Sequence, residues 1–343
     1  MGNVKDYKIA TLGSHTALQI LKGARDEGFE TICICEKGST RPYESYGVAD
    51  QIIEVDSFAD YFDIEQTLID QNAIVIPHGS FVAYLGPQNV KKIKAMHYGT
   101  KGILEWESDR TKEKKWLLKA GITLPRLFKS PEDIDRPVII KFHGAKGGKG
   151  YFLANTPEEF YQRYEEYKDF PGHEKFAIQE YIVGVPVYSH YFYSRLTGEL
   201  EVMGFDKRYE SNADSVGRIA AKDQVDVGIH TTYTIAGNVP LVLRESLLPL
   251  IFKMGEDVVR TSRDLEGANG GLYGPFCLEG IIDPELNYYV FEISARIVAG
   301  TNPYINGSPY AWLRYNEPMS TGRRIARDIK MAIETDKMEA ILG

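Results

Sequence analysis

The stretch from Pro137 to Leu153 combines the residue types that bind phosphate groups. An apolar run leads into Lys141, and a loop rich in glycine and lysine follows, containing Gly144, Lys146, Gly147, Gly148, Lys149 and Gly150. Glycines let backbone N–H groups wrap an anion, and lysines supply the countercharge. The sequence therefore predicts that Lys141 and this loop hold a polyphosphate. An exposed basic turn is the alternative interpretation.

The residues after this loop indicate which kind of phosphate loop it is. A P-loop has Ser or Thr directly after its lysine and leads straight into a helix. Here a second apolar run begins at Tyr151 instead, and no Ser or Thr follows the lysines. The loop is therefore predicted to lie at the tip of a β-hairpin, without a helix dipole behind it.

Two glutamates are predicted to face each other further along the chain. Apolar runs flank the turn Asp283–Asn287, which predicts a hairpin. If that hairpin is symmetric, Glu279 lies opposite Glu292, with Cβ atoms about 5 Å apart. Like charges at that distance are unfavourable unless a divalent cation lies between them, and oxygen ligands close to phosphates suggest Mg²⁺. Alternation places Ser294 and Arg296 on the face of Glu292, where Arg296 could bind a transferring phosphoryl oxygen. Solvent-exposed glutamates are the alternative.

Strands and helices alternate through the first hundred residues, which predicts a parallel sheet covered by helices. Ligands bind such sheets beyond the carboxyl ends of their strands. Two strand ends carry a histidine among small polar residues, one at Gly13–Thr16 and one at Pro77–Ser80. The first turn is not G-x-G-x-x-G, so a dinucleotide is disfavoured. The two corners, with His15 and Ser80, favour a small anionic ligand such as a sugar phosphate, although helix caps and a surface histidine would explain them singly.

The pattern changes after residue 100. A helix is predicted from Trp106 to Ala120, with its charged residues on a solvated face. Helices are also predicted at 157–168 and 322–342, and long strands are expected to dominate between 177 and 295. Gly237-Asn238 before Val239-Pro240 is typical of a bend.

Composition narrows the class of protein. The chain has 343 residues, enough for two or three domains. Its net charge of −8 gives no overall electrostatic attraction for a nucleic-acid partner. Three cysteines cannot form a disulfide framework, which fits a reducing cytoplasm. No apolar run reaches the length of a membrane span, so neither membrane insertion nor a signal peptide is expected.

These features together resemble the ATP-grasp superfamily. The resemblance is carried by Arg110-Thr111-Lys112 and the helix after it, by Lys141 with its glycine hairpin, by Gln179–Gly184, and by Glu279 and Glu292. It implies an α/β ATP-grasp fold preceded by a Rossmann-like parallel domain. The expected divisions are 1–105 for the substrate domain, 106–180 for the lid subdomain and 181–343 for the catalytic subdomain. It also implies that the hinge Gln179, Glu180, Tyr181 and Ile182 reads adenine, and that Glu279 and Glu292 hold Mg²⁺ or Mn²⁺. Many members have Glu-x-Asn-x-Arg where this chain has Ser294, which removes one metal ligand.

Over nearly its whole length the chain is similar to one family, the archaeal 5-formaminoimidazole-4-carboxamide ribonucleotide (FAICAR) synthetases. The specific stretches include IATLGSHTALQILKGA, IPHGSFVAYLG, LEWESDR, HGAKGGKGYF, DKRYESN, GPFCLEG and FEISAR. In that family His15, Ser80 and Asn238 would contact the substrate 5-aminoimidazole-4-carboxamide ribonucleotide (AICAR), and Glu210 would contact ATP. The resemblance also implies a homo-oligomer, with a hexamer as the expected size.

The activity implied is an ATP-dependent ligation in purine biosynthesis. Formate would be phosphorylated by ATP to formyl phosphate, and the 5-amino group of AICAR would attack it to give FAICAR. Lys141, Arg296 and the metal would offset the charge on the phosphoryl group, while His15 would position the substrate or act as a general base. A paralogue that uses another acid or amine, and a nucleotide-binding protein without catalysis, are the alternatives.

Overall fold

The computed structural model describes residues 2–146, 149–169, 172–210, 216–227, 234–267 and 270–343, without the side chains of residues 143–146 and 149. The strands are β1 Lys8–Leu12, β2 Glu30–Glu36, β3 Gln51–Val55, β4 Ala73–Val75, β5 Met96–His97, β6 Leu127–Phe128, β7 Val138–Lys146, β8 Lys149–Ala154, β9 Phe176–Glu180, β10 Val185–Tyr193, β11 Leu200–Glu210, β12 Ile235–Leu241, β13 Gly274–Ile282 and β14 Tyr288–Ser294. The helices are α1 Ala17–Asp26, α2 Arg41–Tyr46, α3 Tyr61–Asp70, α4 Pro87–Val90, α5 Lys101–Ser108, α6 Arg110–Lys119, α7 Pro157–Tyr164, α8 Ala221–Asp226, α9 Leu248–Glu266, α10 Pro309–Tyr315 and α11 Thr321–Glu334.

The first sheet is parallel and has the order β3-β2-β1-β4-β5, which confirms the prediction for the first hundred residues. Its central strands are buried on both faces, as the continuous apolar run Thr31–Cys35 requires. The strand order reverses between β1 and β4. The carboxyl ends of these two strands therefore open a crevice, and the corners Gly13–Thr16 and Pro77–Ser80 lie there.

The other two sheets form the rest of the molecule. One has four strands in the order β6-β9-β7-β8, and its β7–β8 hairpin confirms the hairpin predicted around the glycine loop. The other has five antiparallel strands in the order β12-β11-β10-β13-β14. The predicted domain boundaries at 105 and 180 stay predictions, although each sheet falls within one of the three predicted ranges.

Three helical predictions differ from the structure. The helix predicted from Trp106 to Ala120 is wrong, since α5 ends at Ser108 and α6 begins at Arg110. Between them the Asp109 carboxylate accepts the amides of Thr111 (2.8 Å) and Lys112 (3.0 Å), so it starts a new helix as an N-cap. The long helix α9 lies in a region expected to be mostly strands, and α11 ends at Glu334, well before Leu342.

The C-terminal helix α11 packs on α1 of the first sheet with backbone close to backbone. Gly23 and Gly322 make this approach possible: a Cβ on Gly23 would lie 2.5 Å from the Arg323 Cα, and one on Gly322 would lie 2.6 Å from the Gln19 carbonyl carbon. The apolar face of α11 is thereby buried inside the protein. Across the described residues, none of the helices combines the length and apolar character needed to cross a membrane.

Candidate active site

One row of side chains crosses the antiparallel sheet and gathers most of the predicted site. Asp206 pairs with Tyr188 on the neighbouring strand, Tyr188 pairs with Glu279, and Glu279 pairs with Glu292. Directly paired residues share a face of the sheet, so these four side chains lie side by side. We refer to them as the cross-strand row.

The predicted pairing of Glu279 with Glu292 is confirmed, and a β-bulge produces it. Near the turn the register is Ile282 with Tyr288 and Gly280 with Val290. Continued unchanged, that register would place Phe291 opposite Glu279. The extra residue in the bulge shifts the ladder by one and brings Glu292 into that position. The glutamates therefore face each other because β14 is irregular, whereas the prediction assumed a regular hairpin.

The charges around the two glutamates differ. Arg208 Nη2 lies 2.9 Å from Glu279 Oε1, its guanidinium stacks 4.1 Å from the Tyr188 ring centre, and Ser294 donates a hydrogen bond to the same carboxylate oxygen at 3.1 Å. Among the described residues no ion pair forms to Glu292. Solvent reaches Glu292, yet surrounding protein desolvates its carboxyl group and, together with Glu279 and then Glu107, raises the pKa of Glu292 to about 7.

A divalent cation would relieve this unfavourable pairing, and carboxylate oxygens are the ligands that Mg²⁺ prefers. Within the part of the chain that is described, no set of three or more His, Cys, Asp or Glu side chains converges on a metal position. The protein would therefore supply two carboxylates, Glu279 and Glu292. This donor set suits a cation whose remaining ligands are phosphate oxygens and water.

Two glutamates on α5 and α6 were missed by the sequence analysis. β14 is an edge strand, and its outward amides need acceptors. Glu113 accepts the amide of Ile293 at 2.7 Å, and Glu107 accepts that of Ala295 at 2.8 Å. Burial is the first cause that raises the pKa of both carboxyls, for Glu113 to about 8. These contacts hold the strand that carries Glu292.

Glu107 also holds a residue predicted to act in catalysis. Its Oε1 lies 3.1 Å from Arg296 Nη2. The stretch LEWESDR contains Glu107, but nothing in its local pattern indicates a contact with a strand far along the chain. Arg296 therefore lies beside the cross-strand row as predicted, and its guanidinium is already paired.

Lys141 lies on the β7–β8 hairpin, on the side away from the core of the lid sheet. The neighbouring residues Ile140 and Phe142 are buried in the core of the lid sheet, and alternation turns Lys141 to the other side. The pKa of Lys141 is lowered by burial, then by Arg110 and Lys114, while Glu292 opposes this shift. The charged residues predicted to lie on a solvated face are exposed at Arg110 and Lys115 and half-buried at Lys112 and Lys114, and two of them, Arg110 and Lys114, also act on Lys141.

Most of the tip of the glycine loop lies outside the residues that the structure describes. Gly147 and Gly148 lie outside the described residues, and so do the side chains of Lys146 and Lys149. The backbones of Lys146 and Lys149 pair with each other at the end of the β7–β8 hairpin. The roles predicted for these four residues therefore stay predictions.

The predicted adenine hinge begins with the last two residues of β9, which ends at Glu180, and continues through Tyr181 and Ile182. The Glu180 amide donates to the Arg126 carbonyl, the Tyr181 amide donates to the Pro137 carbonyl, both at 2.8 Å, and Arg136 pairs with the Glu180 carboxylate at 3.1 Å. These two amides are thus already used by the protein. Gln179 lines an apolar pocket with Lys114 on one wall; its other walls are Leu117, Leu118, Leu124, Pro125, Arg126, Leu127, Val290 and Phe291.

The two histidine corners meet, as their positions at matching strand ends predicted. The rings of His15 and His78 stack with their centres 5.4 Å apart. His78 Nε2 lies 2.9 Å from the Leu12 carbonyl, and its Nδ1 accepts the amide of Ser80 at 3.2 Å. An isolated parallel bridge joins His78 to Ile297, the residue after Arg296. The corners therefore adjoin the end of the strand that bears Glu292.

His15 lies at this junction with its backbone in the left-handed region, at φ 55°. Its pKa is lowered by desolvation in the cleft, then by His78, Arg296 and Arg208. The ring is therefore neutral near pH 7. A weakly basic imidazole suits a positioning hydrogen bond better than proton abstraction.

Asn238 and Glu210 lie on the outer strands of the same sheet. Asn238 is within β12, so the bend expected there is wrong; β12 is an edge strand and tolerates Pro240. Asn238 pairs with Arg208, and its Nδ2 donates to Asp206 at 2.7 Å. Glu210 ends β11, two residues beyond Arg208.

Acid should destabilise the fold through His78. Desolvation lowers the pKa of this fully buried histidine to about 4, whereas the unfolded chain titrates near 6.5. Stability is therefore unaffected above pH 6.5 and falls as the pH drops from 6.5 towards 4. We expect wild type to lose about 2 kcal/mol more than His78→Gln between pH 7.5 and 4.5, measured by urea unfolding. Equal losses in the two proteins would contradict the assignment.

Comparison with solved structures defines the class of protein. An N5-carboxyaminoimidazole ribonucleotide synthetase in its ADP complex aligns with a TM-score of 0.63 at 17% identity, covering 95% of this chain and 78% of that one, which shows the ATP-grasp fold alone. The IMP biosynthesis protein PurP from Thermococcus kodakaraensis aligns with a TM-score of 0.78 at 30% identity, covering 98% of this chain and 100% of that chain.

Sequence relatives define the family. The synthetase of 5-formaminoimidazole-4-carboxamide-1-(beta)-D-ribofuranosyl 5'-monophosphate from Pyrococcus abyssi is 55% identical, covering 98% of both chains, and that from Methanocaldococcus jannaschii is 48% identical, covering 99% of this chain and 96% of the relative. Two family models also match, a domain of unknown function (DUF1297) at 167–343 and a protein of unknown function (DUF1246) at 9–128. The chain belongs to the FAICAR synthetase family of ATP-grasp ligases.

Proposed function

We propose that this protein formylates AICAR with formate and ATP, giving FAICAR, ADP and phosphate. One observation carries the proposal beyond family membership. The His78–Ile297 bridge joins the corner that would hold the nucleotide substrate to the end of the strand that bears Glu292. A phosphoryl group beside Glu292 and an amine anchored at His15 would therefore lie in one cleft.

In this proposal ATP lies between the lid sheet and the cross-strand row. The apolar pocket lined by Gln179 and Phe291 suits a planar base. Lys141, Arg110 and Lys114 supply positive charge towards the phosphates. Glu279 and Glu292 would hold Mg²⁺, which would supply neutralisation of phosphate charge.

The first chemical step transfers the γ-phosphoryl group to formate. A formate oxygen attacks phosphorus, the bond to the ADP oxygen breaks, and formyl phosphate forms. Lys141 and Arg296 would offset the charge on the phosphoryl oxygens as they move. Glu107 keeps Arg296 in place for this task through the 3.1 Å ion pair.

In the second step the 5-amino nitrogen of AICAR attacks the formyl carbon, and the carbon–oxygen bond to phosphate breaks. His15, Ser80 and Asn238 would anchor the nucleotide so that its amine reaches that carbon. The amine proton would leave to phosphate or water, since the lowered pKa of His15 makes its ring a poor base. The β7–β8 hairpin would exclude water from the acyl phosphate.

The test is mass-spectrometric detection of FAICAR from AICAR, formate and Mg-ATP. We expect FAICAR and ADP to form together and only when all three substrates are present. Product formation with acetate or bicarbonate in place of formate would identify a paralogue that uses another acid. ATP binding without turnover for any pair of acid and amine substrates would identify a nucleotide-binding protein. Cytoplasmic location and a homo-oligomer, with a hexamer as the expected size, belong with this proposal.

A further inference from the structure

Asp206 is the buried carboxylate at one end of the cross-strand row, and the two chemical steps above do not use it. It is fully buried, and among the described residues the polar side chains that contact it present N–H donors. His190 Nε2 lies 2.8 Å from Oδ1, Asn238 Nδ2 lies 2.7 Å from Oδ2, and Arg208 Nε lies 3.7 Å from Oδ2. The carboxylate therefore acts as a fixed acceptor for the side chains in front of it.

The surrounding backbone holds Asp206 in one position. A Cβ on Gly300 would lie 2.6 Å from Asp206 Cγ and 2.7 Å from His190 Cε1, so the segment 299–304 packs directly against the pair. The Tyr304 hydroxyl accepts the amide of Leu241 at 3.0 Å and donates to the carbonyl of Phe205. These contacts fix β11 and β12, which carry Asp206 and Asn238.

This arrangement sets the orientation of the Asn238 amide. A carboxylate offers only acceptors, so the group that Asn238 turns inward must be its NH₂. The carbonyl oxygen Oδ1 then points away from Asp206. Asn238 is half-buried, which leaves Oδ1 available to a ligand. A hydrogen-bond acceptor at this position binds an N–H group of a ligand and repels the oxygens of a carboxylate.

We propose that Asp206 is a positioning residue that makes Asn238 select a carboxamide over a carboxylate on the imidazole nucleotide. The inference rests on the proposed function, in which the substrate is AICAR. Its 4-carboxamide has N–H groups that Oδ1 can accept, whereas the 4-carboxylate counterpart would place an anionic oxygen against Oδ1. The charge of Arg208 does not reverse this preference, because Glu279 and Asp206 lie on either side of it.

Asp206→Asn tests the inference because it reverses one hydrogen bond without changing the shape of the side chain. The introduced amide can still accept from His190 with its oxygen, and its NH₂ would then donate to Asn238. That would turn Asn238 over and present its NH₂ to the ligand. We expect the affinity ratio of AICAR over its 4-carboxylate counterpart to fall by roughly tenfold or more, measured by calorimetry on the full chain.

Two further variants keep the test decisive. Asp63→Asn, an exposed residue on α3, should leave the ratio unchanged. Asn238→Ala removes the acceptor, so AICAR should bind about tenfold more weakly while the carboxylate loses no affinity, and this readout holds even if Asp206→Asn does not fold.

An unchanged ratio in a folded Asp206→Asn protein, or an equal loss for both ligands in Asn238→Ala, would overturn the inference. Failure of the proposed function is distinguishable, because wild type would then form no FAICAR while its binding selectivity could still be measured.

Discussion

Glu292→Gln should abolish AICAR- and formate-dependent release of ADP, with a loss of roughly a thousandfold or more in kcat. The substitution keeps the size of the side chain and removes the charge that a divalent cation needs. Losing a metal ligand in phosphoryl transfer removes several kcal/mol of stabilisation from the transition state, and each 1.4 kcal/mol is about tenfold in rate. Binding of AICAR should be retained, because the predicted nucleotide contacts are His15, Ser80 and Asn238.

Glu285→Gln is the matched control for this experiment. Glu285 is exposed in the turn of the same β13–β14 hairpin, so the variant makes the same chemical change outside the cleft. It should keep wild-type turnover. Both proteins can be compared by coupled ADP assay and by calorimetry with AICAR. Turnover near the wild-type rate in Glu292→Gln would exclude this residue as a required metal ligand.

The pairing that underlies this prediction could be found from the sequence because hairpins are local. Turn residues at Asp283–Asn287 and two apolar runs fix the register within one residue, and a one-residue error decides whether the glutamates meet. The bulge at Phe291 happens to compensate for the position of the turn. The correct pairing was therefore reached from an idealised hairpin that the protein does not have.

Contacts between distant segments could not be predicted in this way. Glu107 and Glu113 look like ordinary helical residues, and their value as acceptors depends on the edge of a sheet formed far along the chain. The same limit explains why Asp206 was missed: its partners lie on two other strands. Local pattern predicted the elements and the corner at His15, whereas the packing that holds the site is non-local.

Gly23→Ala should lower the free energy of unfolding by about 2 kcal/mol or more, although alanine normally favours a helix. The two effects oppose each other. Replacing glycine within α1 would gain about 1 kcal/mol in helix propensity. The new methyl group, however, would lie 2.5 Å from the Arg323 Cα and overlap the neighbouring backbone of α11. Overpacking costs about 1–3 kcal/mol, and here the cost should reach the upper end or exceed it, because backbone cannot rotate away as a side chain can.

Gly217→Ala provides the contrast that separates packing from propensity. A Cβ there meets no described residue within 4 Å, and its φ lies outside the left-handed region, so the change should stay within about 0.5 kcal/mol of wild type. Denaturant unfolding of the three proteins compares them directly. Increased stability in Gly23→Ala would mean that α1 and α11 can separate at little cost.

The contact between α1 and α11 also bears on the substrate site. Thr301 and Asn302 bind Gln19 on α1, at 2.7 and 2.8 Å, so a separation of α1 from α11 would also loosen the segment that packs on Asp206. A destabilised α1–α11 contact should therefore weaken AICAR binding as well as the fold.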